Sequence, residues 1–143
     1  VCCILPLMEE TIFQKIISGE VPADTVYETD RVLAFLDIKP VHKGHTLVIP
    51  KTAVQDIFTL GDEDAGYLMR AIVVVANAVK QVTAAQGINV IANNGSAAGQ
   101  EVFHLHFHII PRFARGEFHP LPHTAYASDD ERVEFAQKIA SVM

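Results

Sequence analysis

The chain predicts an α+β fold with an antiparallel sheet, and three observations predict it. Short runs of β-branched and apolar residues are separated by brief turns, the pattern of strands joined in hairpin order. One long segment repeats its apolar residues at helical spacing. The strands do not alternate regularly with crossover helices, which argues against a doubly wound parallel sheet. Three helices and at least five short strands follow.

The elements can be justified in order. Thr11-x-x-Gln14 is a capping box that opens a short helix running to about Ser18, with Gly19 as its stop and Pro22 at the exit. Thr25–Thr29 and Arg31–Asp37 form a strand pair around Glu28-Thr29-Asp30. Lys39–Gly44, with Pro40 inside it, is a loop, and His45–Ile49 is the next strand, stopped by Pro50. Asp62 begins the long helix, in which Ala65, Leu68, Met69, Ile72, Val75, Ala76, Val79 and Val82 recur on one side; Gly87 closes it. Ile88–Ala92 and Phe103–Ile110 pair as strands around a loop rich in Asn, Gly and Ala. Ser128-x-x-Glu131 is a second capping box, beginning a terminal helix to about Ser141.

Composition narrows the function. Half of the 143 residues are apolar and a fifth are charged, a globular profile in a chain long enough for a real core. The net charge of −6 argues against a nucleic-acid binder, which normally carries basic excess. Small phosphorylated ligands need only local positive groups. The two cysteines, Cys2 and Cys3, are adjacent and suggest neither a disulfide framework nor a metal motif, so a cytoplasmic setting is expected. Val1–Leu7 is apolar but too short for a signal or membrane segment. Residues 1–8 are expected to be a disordered extension ahead of a single domain, 9–143. No later run approaches the roughly 18 apolar residues of a membrane span.

The most informative stretch is His104-Leu105-His106-Phe107-His108, which holds three of the seven histidines within five residues. On an extended strand alternate side chains share a face, so the three imidazoles line one side and Leu105, Phe107 and Ile109 the other. Three readings are open. The row is a solvent-exposed strand face; or it is a metal site needing a third ligand such as His45 or His42, with Glu101 the only acid close by; or one imidazole is a nucleophile that its neighbours position and tune.

Other residues suggest a pocket. Asn93–Glu101 is longer than a hairpin requires; it is either a wide turn or a backbone cradle for an anion, with Gly95 and Gly99 able to adopt positive φ. Asp37, at the end of a strand, either caps a turn or accepts ribose hydroxyls. Ile12, Phe13, Ile16, Phe35 and Leu47 are core residues or the wall that holds an aromatic base. Lys39, Lys43 and Lys51 would favour anions nearby.

With these residues in place, the chain resembles the histidine triad (HIT) family of nucleotidyl hydrolases and transferases, in its Hint-like bacterial branch. The row His104-x-His106-x-His108 followed by two apolar residues is that family's signature. Glu10–Phe13, Leu33–Ile38, Gly44–Lys51 and Gly99–Phe103 match further segments in order. The resemblance implies a five-stranded antiparallel sheet with one long and two short helices, and commonly a homodimer. It implies that His106 attacks the α-phosphorus to form a nucleotidyl-histidine, that His108 lies at the phosphate oxygens, and that His104 and His45 support the nucleophile. Asn93, Gly99, Gln100 and Glu101 would contact phosphate and leaving group; Asp37 the ribose; Ile12, Phe13, Ile16, Phe35, Ile38 and Leu47 the base.

The expected activity is hydrolysis of nucleoside 5′-phosphoramidates, purine nucleotides preferred, or of related adenylyl conjugates. Dinucleoside polyphosphate hydrolysis and nucleotide-dependent regulation are the alternatives. Two departures stand out. Glu101 occupies a position where relatives carry Ser or Thr. The residues that hold a structural zinc in some bacterial relatives are replaced by Thr11, Gln14 and Ala53, so no metal and no cofactor are expected. His119 and His123 are expected on the surface.

Overall fold

The computed structural model describes residues 9–143; the expected extension at 1–8 lies outside the described residues. Five strands, β1 (Thr25–Glu28), β2 (Val32–Leu36), β3 (Thr46–Pro50), β4 (Gly87–Ile91) and β5 (Phe107–Arg112), form one sheet in the order β1-β2-β3-β5-β4. All four pairings are antiparallel. The β1–β2 turn is held by Thr29, whose Oγ1 accepts the backbone N–H groups of Arg31 (3.2 Å) and Val32 (3.0 Å).

Three helices accompany the sheet: α1 (Ile12–Ile17), α2 (Asp62–Thr83) and α3 (Asp129–Ala140). Both bonds of the Thr11–Gln14 capping box are formed at the start of α1. The long helix α2 covers one face of the sheet. Its Leu68, Ala71, Ile72 and Val75 pack on Val32, Ala34, Val48, Leu105 and Ile109. The opposite face carries a smaller cluster, in which Leu33, Phe35, Leu47 and Ile49 meet Phe13 of α1. Because six-residue α1 is short, that face is only partly roofed.

Three elements differ from their sequence expectation. β5 begins at Phe107 rather than Phe103, because the Leu105 N–H bonds Val54 O (2.7 Å) in the segment after β3 instead of a ladder partner. The alternation of faces survives: Leu105 and Ile109 are buried under α2, while the rings of His104 and His106 pack against Phe13 on the other side. The long helix stops before Gly87: Ala84 takes the left-handed conformation (φ 57°), and Gly87 opens β4. At α3, Ser128 caps the Glu131 N–H as expected, but the Glu131 carboxylate accepts from Ala127 N–H rather than from the cap residue. No residue of α3 is buried.

Candidate active site

The sheet places the histidines side by side. His108 lies on β5, paired with Leu47 of β3 on one side and Ile91 of β4 on the other. His45 immediately precedes β3, and Asp37 immediately follows β2; the Asp37 N–H donates to His45 O (2.9 Å), which ties these two strand ends together. His106 sits 5.0 Å from His108 ring to ring, and 5.1 Å from Phe13 in an edge-on contact.

Hydrogen bonds fix which nitrogen of each ring carries the proton. Val41 N–H donates to His45 Nδ1 (3.1 Å), so that nitrogen holds a lone pair and neutral His45 bears its proton on Nε2. His45 Nε2 lies 2.9 Å from His108 Nδ1 and 3.6 Å from Asp37 Oδ2. The proton therefore points at His108 Nδ1, which accepts it and leaves neutral His108 with its own N–H on Nε2. His106 is set the other way. Its Nδ1 lies 2.7 Å from the His104 carbonyl, which can only accept, so Nδ1 carries the proton and Nε2 an unshared pair. His104 in turn donates from Nε2 to Pro50 O (2.8 Å).

Burial disfavours charge on three of these rings. Desolvation is the main cause that holds His108 down at about 4, with the neighbouring His106 and His45 adding to it and Asp37 opposing. Desolvation also lowers His45, against the pull of Asp37, and lowers His104, against its bond to Pro50 O.

These groups open onto a cavity of about 630 Å³. Ile12, Phe13, Ile16, Phe35 and Leu47 form its apolar wall, and His45, His106 and His108 its floor. Asp37, Ile38, Asn93, Gly99 and Glu101 complete the lining named from the sequence, although Ile38 is 89% exposed and stands at the rim. Val21, Pro22, Ala23, Leu36, Lys39 and Val102 also line it. Of these only Lys39 was marked as a neighbour of the site by sequence; the others bear no chemical signal and owe their place to the chain's path after α1 and around β2.

Two expected site residues do not reach the cavity. His104 is 1% exposed and lies beneath His106, which it orients through its carbonyl. Gln100 is 5% exposed; its side chain accepts from Gly95 N–H (2.8 Å) and donates to Gln55 O (2.7 Å) and Val102 O (3.1 Å). It braces the loop and has no donor left for a ligand. Much of the expected backbone cradle is bonded within the loop itself. Gly95 and Gly99 do take positive φ (88° and 86°), but the N–H groups of Gly95, Ala98, Gly99 and Gln100 are all bonded inside the loop. Side chains of His108, Asn93 and Lys39 also line the cavity and can donate to an anion there.

Atoms of Asp37, His45 and His108 lie within 4.8 Å of one another, close enough to invite a metal ion. The donor set fits one poorly. A metal on His45 Nε2 would displace the proton there and force Nδ1 to carry it, which the Val41 N–H opposes. His42, the other candidate ligand, has its Nε2 3.1 Å from Glu117 Oε2. Thr11 and Gln14, at the positions of the relatives' zinc ligands, are bonded to each other in the α1 cap.

The chain matches the HIT domain family model over residues 18–115. It is 45% identical over 133 residues to "Protein hit" of Bacillus subtilis, covering 93% of this chain and 91% of the relative. It is 38% identical over 109 residues to the adenylylsulfatase HINT3 of Arabidopsis thaliana, covering 76% of this chain and 55% of that protein. A crystal structure of a HIT family member from Bacillus subtilis superposes with a TM-score of 0.86 at 40% identity, covering 94% of this chain and 98% of that one. The chain belongs to the histidine triad family, and its five-stranded antiparallel sheet with three helices is the fold of that family.

Proposed function

We propose that the protein is a nucleotidyl hydrolase or transferase that cleaves nucleoside 5′-phosphoramidates and related adenylyl conjugates through a covalent adduct on His106. One observation carries this reading: two adjacent imidazoles in one cavity are set in opposite tautomers. His106 offers a lone pair at Nε2, and His108 an N–H at Nε2. A phosphorus centre bearing anionic oxygens repels anionic nucleophiles, so neutral imidazole suits the attack. The base would rest on the apolar wall, and Asp37 would receive the ribose hydroxyls.

In the first step His106 Nε2 bonds to the α-phosphorus as the bond to the leaving nitrogen breaks, and that nitrogen takes a proton from solvent to depart as the amine. Positive charge arising on His106 is steadied through Nδ1–H by the His104 carbonyl, while His108 donates to a phosphate oxygen. Water then attacks phosphorus and yields a proton to solvent, the P–N bond to His106 breaks to restore the neutral ring, and nucleoside monophosphate is released. Splitting the reaction in this way replaces one difficult displacement by two easier ones. The HINT3 relative, named for acting on an adenylyl sulfate, supports transfer at an adenylyl phosphorus.

The test is mass spectrometry of rapidly quenched mixtures with adenosine 5′-phosphoramidate. A mass increase of one adenylyl group, labile to acid and mapped to His106, is expected; its absence together with full turnover by His106→Ala would sink the reading. Diadenosine tetraphosphate in the same assay is expected to turn over more slowly.

We further propose a cytoplasmic homodimer as the working form. Met69, Val73 and Val74 on the outer side of α2 are each at least half exposed, and β4, which among the described residues has β5 as its one sheet neighbour, carries exposed Val90 at the sheet edge. Light scattering that returned a monomer mass across micromolar concentrations would refute the dimer.

A further inference from the structure

We propose that Glu101 makes this site selective for nucleotidyl conjugates whose leaving group carries a positive charge close to the scissile bond. The inference rests on the nucleotidyl-transfer reading above and concerns the class of leaving group that the chain admits.

Among the described residues, three acidic or basic side chains line the cavity besides the histidines: Asp37, Lys39 and Glu101. Asp37 is engaged. Its Oδ1 accepts the Lys39 N–H (2.8 Å), and its Oδ2 faces His45 at 3.6 Å. Glu101 has no such partner; among the described residues no side chain or backbone group bonds its carboxylate, and the residue is exposed. The backbone on either side is nevertheless held. Gly99 is turned at φ 86° and bonded to Ser96 O, and the buried Gln100 amide bridges Gly95, Gln55 and Val102. Glu101 thus lines the cavity from a braced backbone, and its carboxylate is unpaired among the described residues.

Its side of the cavity follows from the sheet order. The apolar wall comes from α1, β2 and β3, whereas the loop carrying Asn93, Gly99 and Glu101 leaves β4, across β5 from β3. With the nucleoside on the apolar wall and phosphorus over His106 and His108, the group displaced by His106 departs toward the remaining wall, which is that loop. A carboxylate there repels the phosphate and any anionic leaving group. A cation on the leaving group screens the phosphate from the carboxylate and is itself attracted by both. At the separations such a cavity allows, one unit charge reversed beside another is worth roughly ten- to hundredfold in relative rate.

The experiment compares three adenosine 5′-phosphoramidates of similar size, made from 1,2-diaminoethane, propylamine and glycine, so that the leaving group bears a cation, no charge or an anion. Values of kcat/KM are measured for the wild type, Glu101→Gln and Glu101→Lys, at low and high salt. The wild type is expected to prefer the ammonium compound over the propyl one by tenfold or more, and the glycine compound to be slowest. The preference should fall with added salt. Glu101→Gln should bring the three within about threefold while still turning over the propyl compound, and Glu101→Lys should favour glycine. An ammonium-to-propyl ratio unchanged by Glu101→Gln, or a wild-type ratio near one at both salts, would overturn the selectivity while leaving the transfer chemistry standing. Failure of the wild type to turn over any of the three would overturn both.

Discussion

The two faces of the sheet are built from the same strands and serve different ends. Along β2 and β3, Ala34 and Val48 go under the 22-residue helix α2, while Leu33, Phe35, Leu47 and Ile49 face the other way. On the α2 side a long amphipathic helix closes the layer. On the α1 side a six-residue helix covers only part of it, and the gap is the cavity. Alternation alone thus supplies a closed core and an open site together, and the difference lies in what roofs each face.

Leu105 and His106 are neighbours in sequence that belong to opposite faces, and they offer the sharpest way to break the comparison. On the proposed mechanism, in which His106 is the nucleophile, His106→Ala should lower kcat at least about a thousandfold. Thermal stability should change little by comparison. Leu105→Ala should behave in reverse, costing about 2–5 kcal/mol of stability as a fully buried side chain under α2 is deleted. Its folded fraction should retain near-normal turnover. Denaturant unfolding and steady-state kinetics on both variants check this pair; a large stability loss at 106 with intact turnover would reverse the assignment of faces.

A second contrast concerns pH. The core cluster under α2 is apolar, whereas the site face holds three histidines pushed below their ordinary value, His108 to about 4. In the unfolded chain this imidazole takes up a proton near pH 6.5, whereas folded His108 does not until about 4. Between those values the unfolded state binds more protons, so stability is fully present above 6.5 and falls as pH drops toward 4. His108→Gln should flatten this slope by about 1–3 kcal/mol at pH 4.5, a range already discounted for partial solvent screening. Leu105→Ala should leave the slope unchanged. Melting curves at pH 4.5 and 7.5 separate the two.

Legibility in the sequence followed how local each determinant is. The α1 cap, the strand turns and the split of Leu105 from His106 depend on near neighbours, and the sequence shows them. The polar residues of the cavity also carry their chemistry openly, with Asp37, His45, His106 and His108 all brought onto it. What stayed hidden depends on distant partners. β5 starts late because the chain before it docks on Val54 and Pro50, some fifty residues away. Gln100 reads as a ligand contact until its amide is seen bridging Gln55 to the loop. The end of α2 was obscured differently, since Ala84 adopts a left-handed turn that sequence reasoning reserves for glycine such as Gly87.

The mildest test addresses the roof of the open face. α1 is too short to be stable by itself, so its place over the cavity depends on Phe13 below and on the Thr11–Gln14 cap at its start. Thr11→Ala removes the hydroxyl that accepts the Gln14 N–H and should cost about 1 kcal/mol, within the range measured for caps. If α1 acts as the wall for the base, part of that cost should be recovered when nucleotide binds, because the ligand favours the docked helix. Adenosine monophosphate should therefore raise the melting temperature of Thr11→Ala by more than it raises that of the wild type, while KM increases and kcat holds. Equal shifts, with KM unchanged, would mean that α1 is a lid on the core and no part of the nucleotide wall.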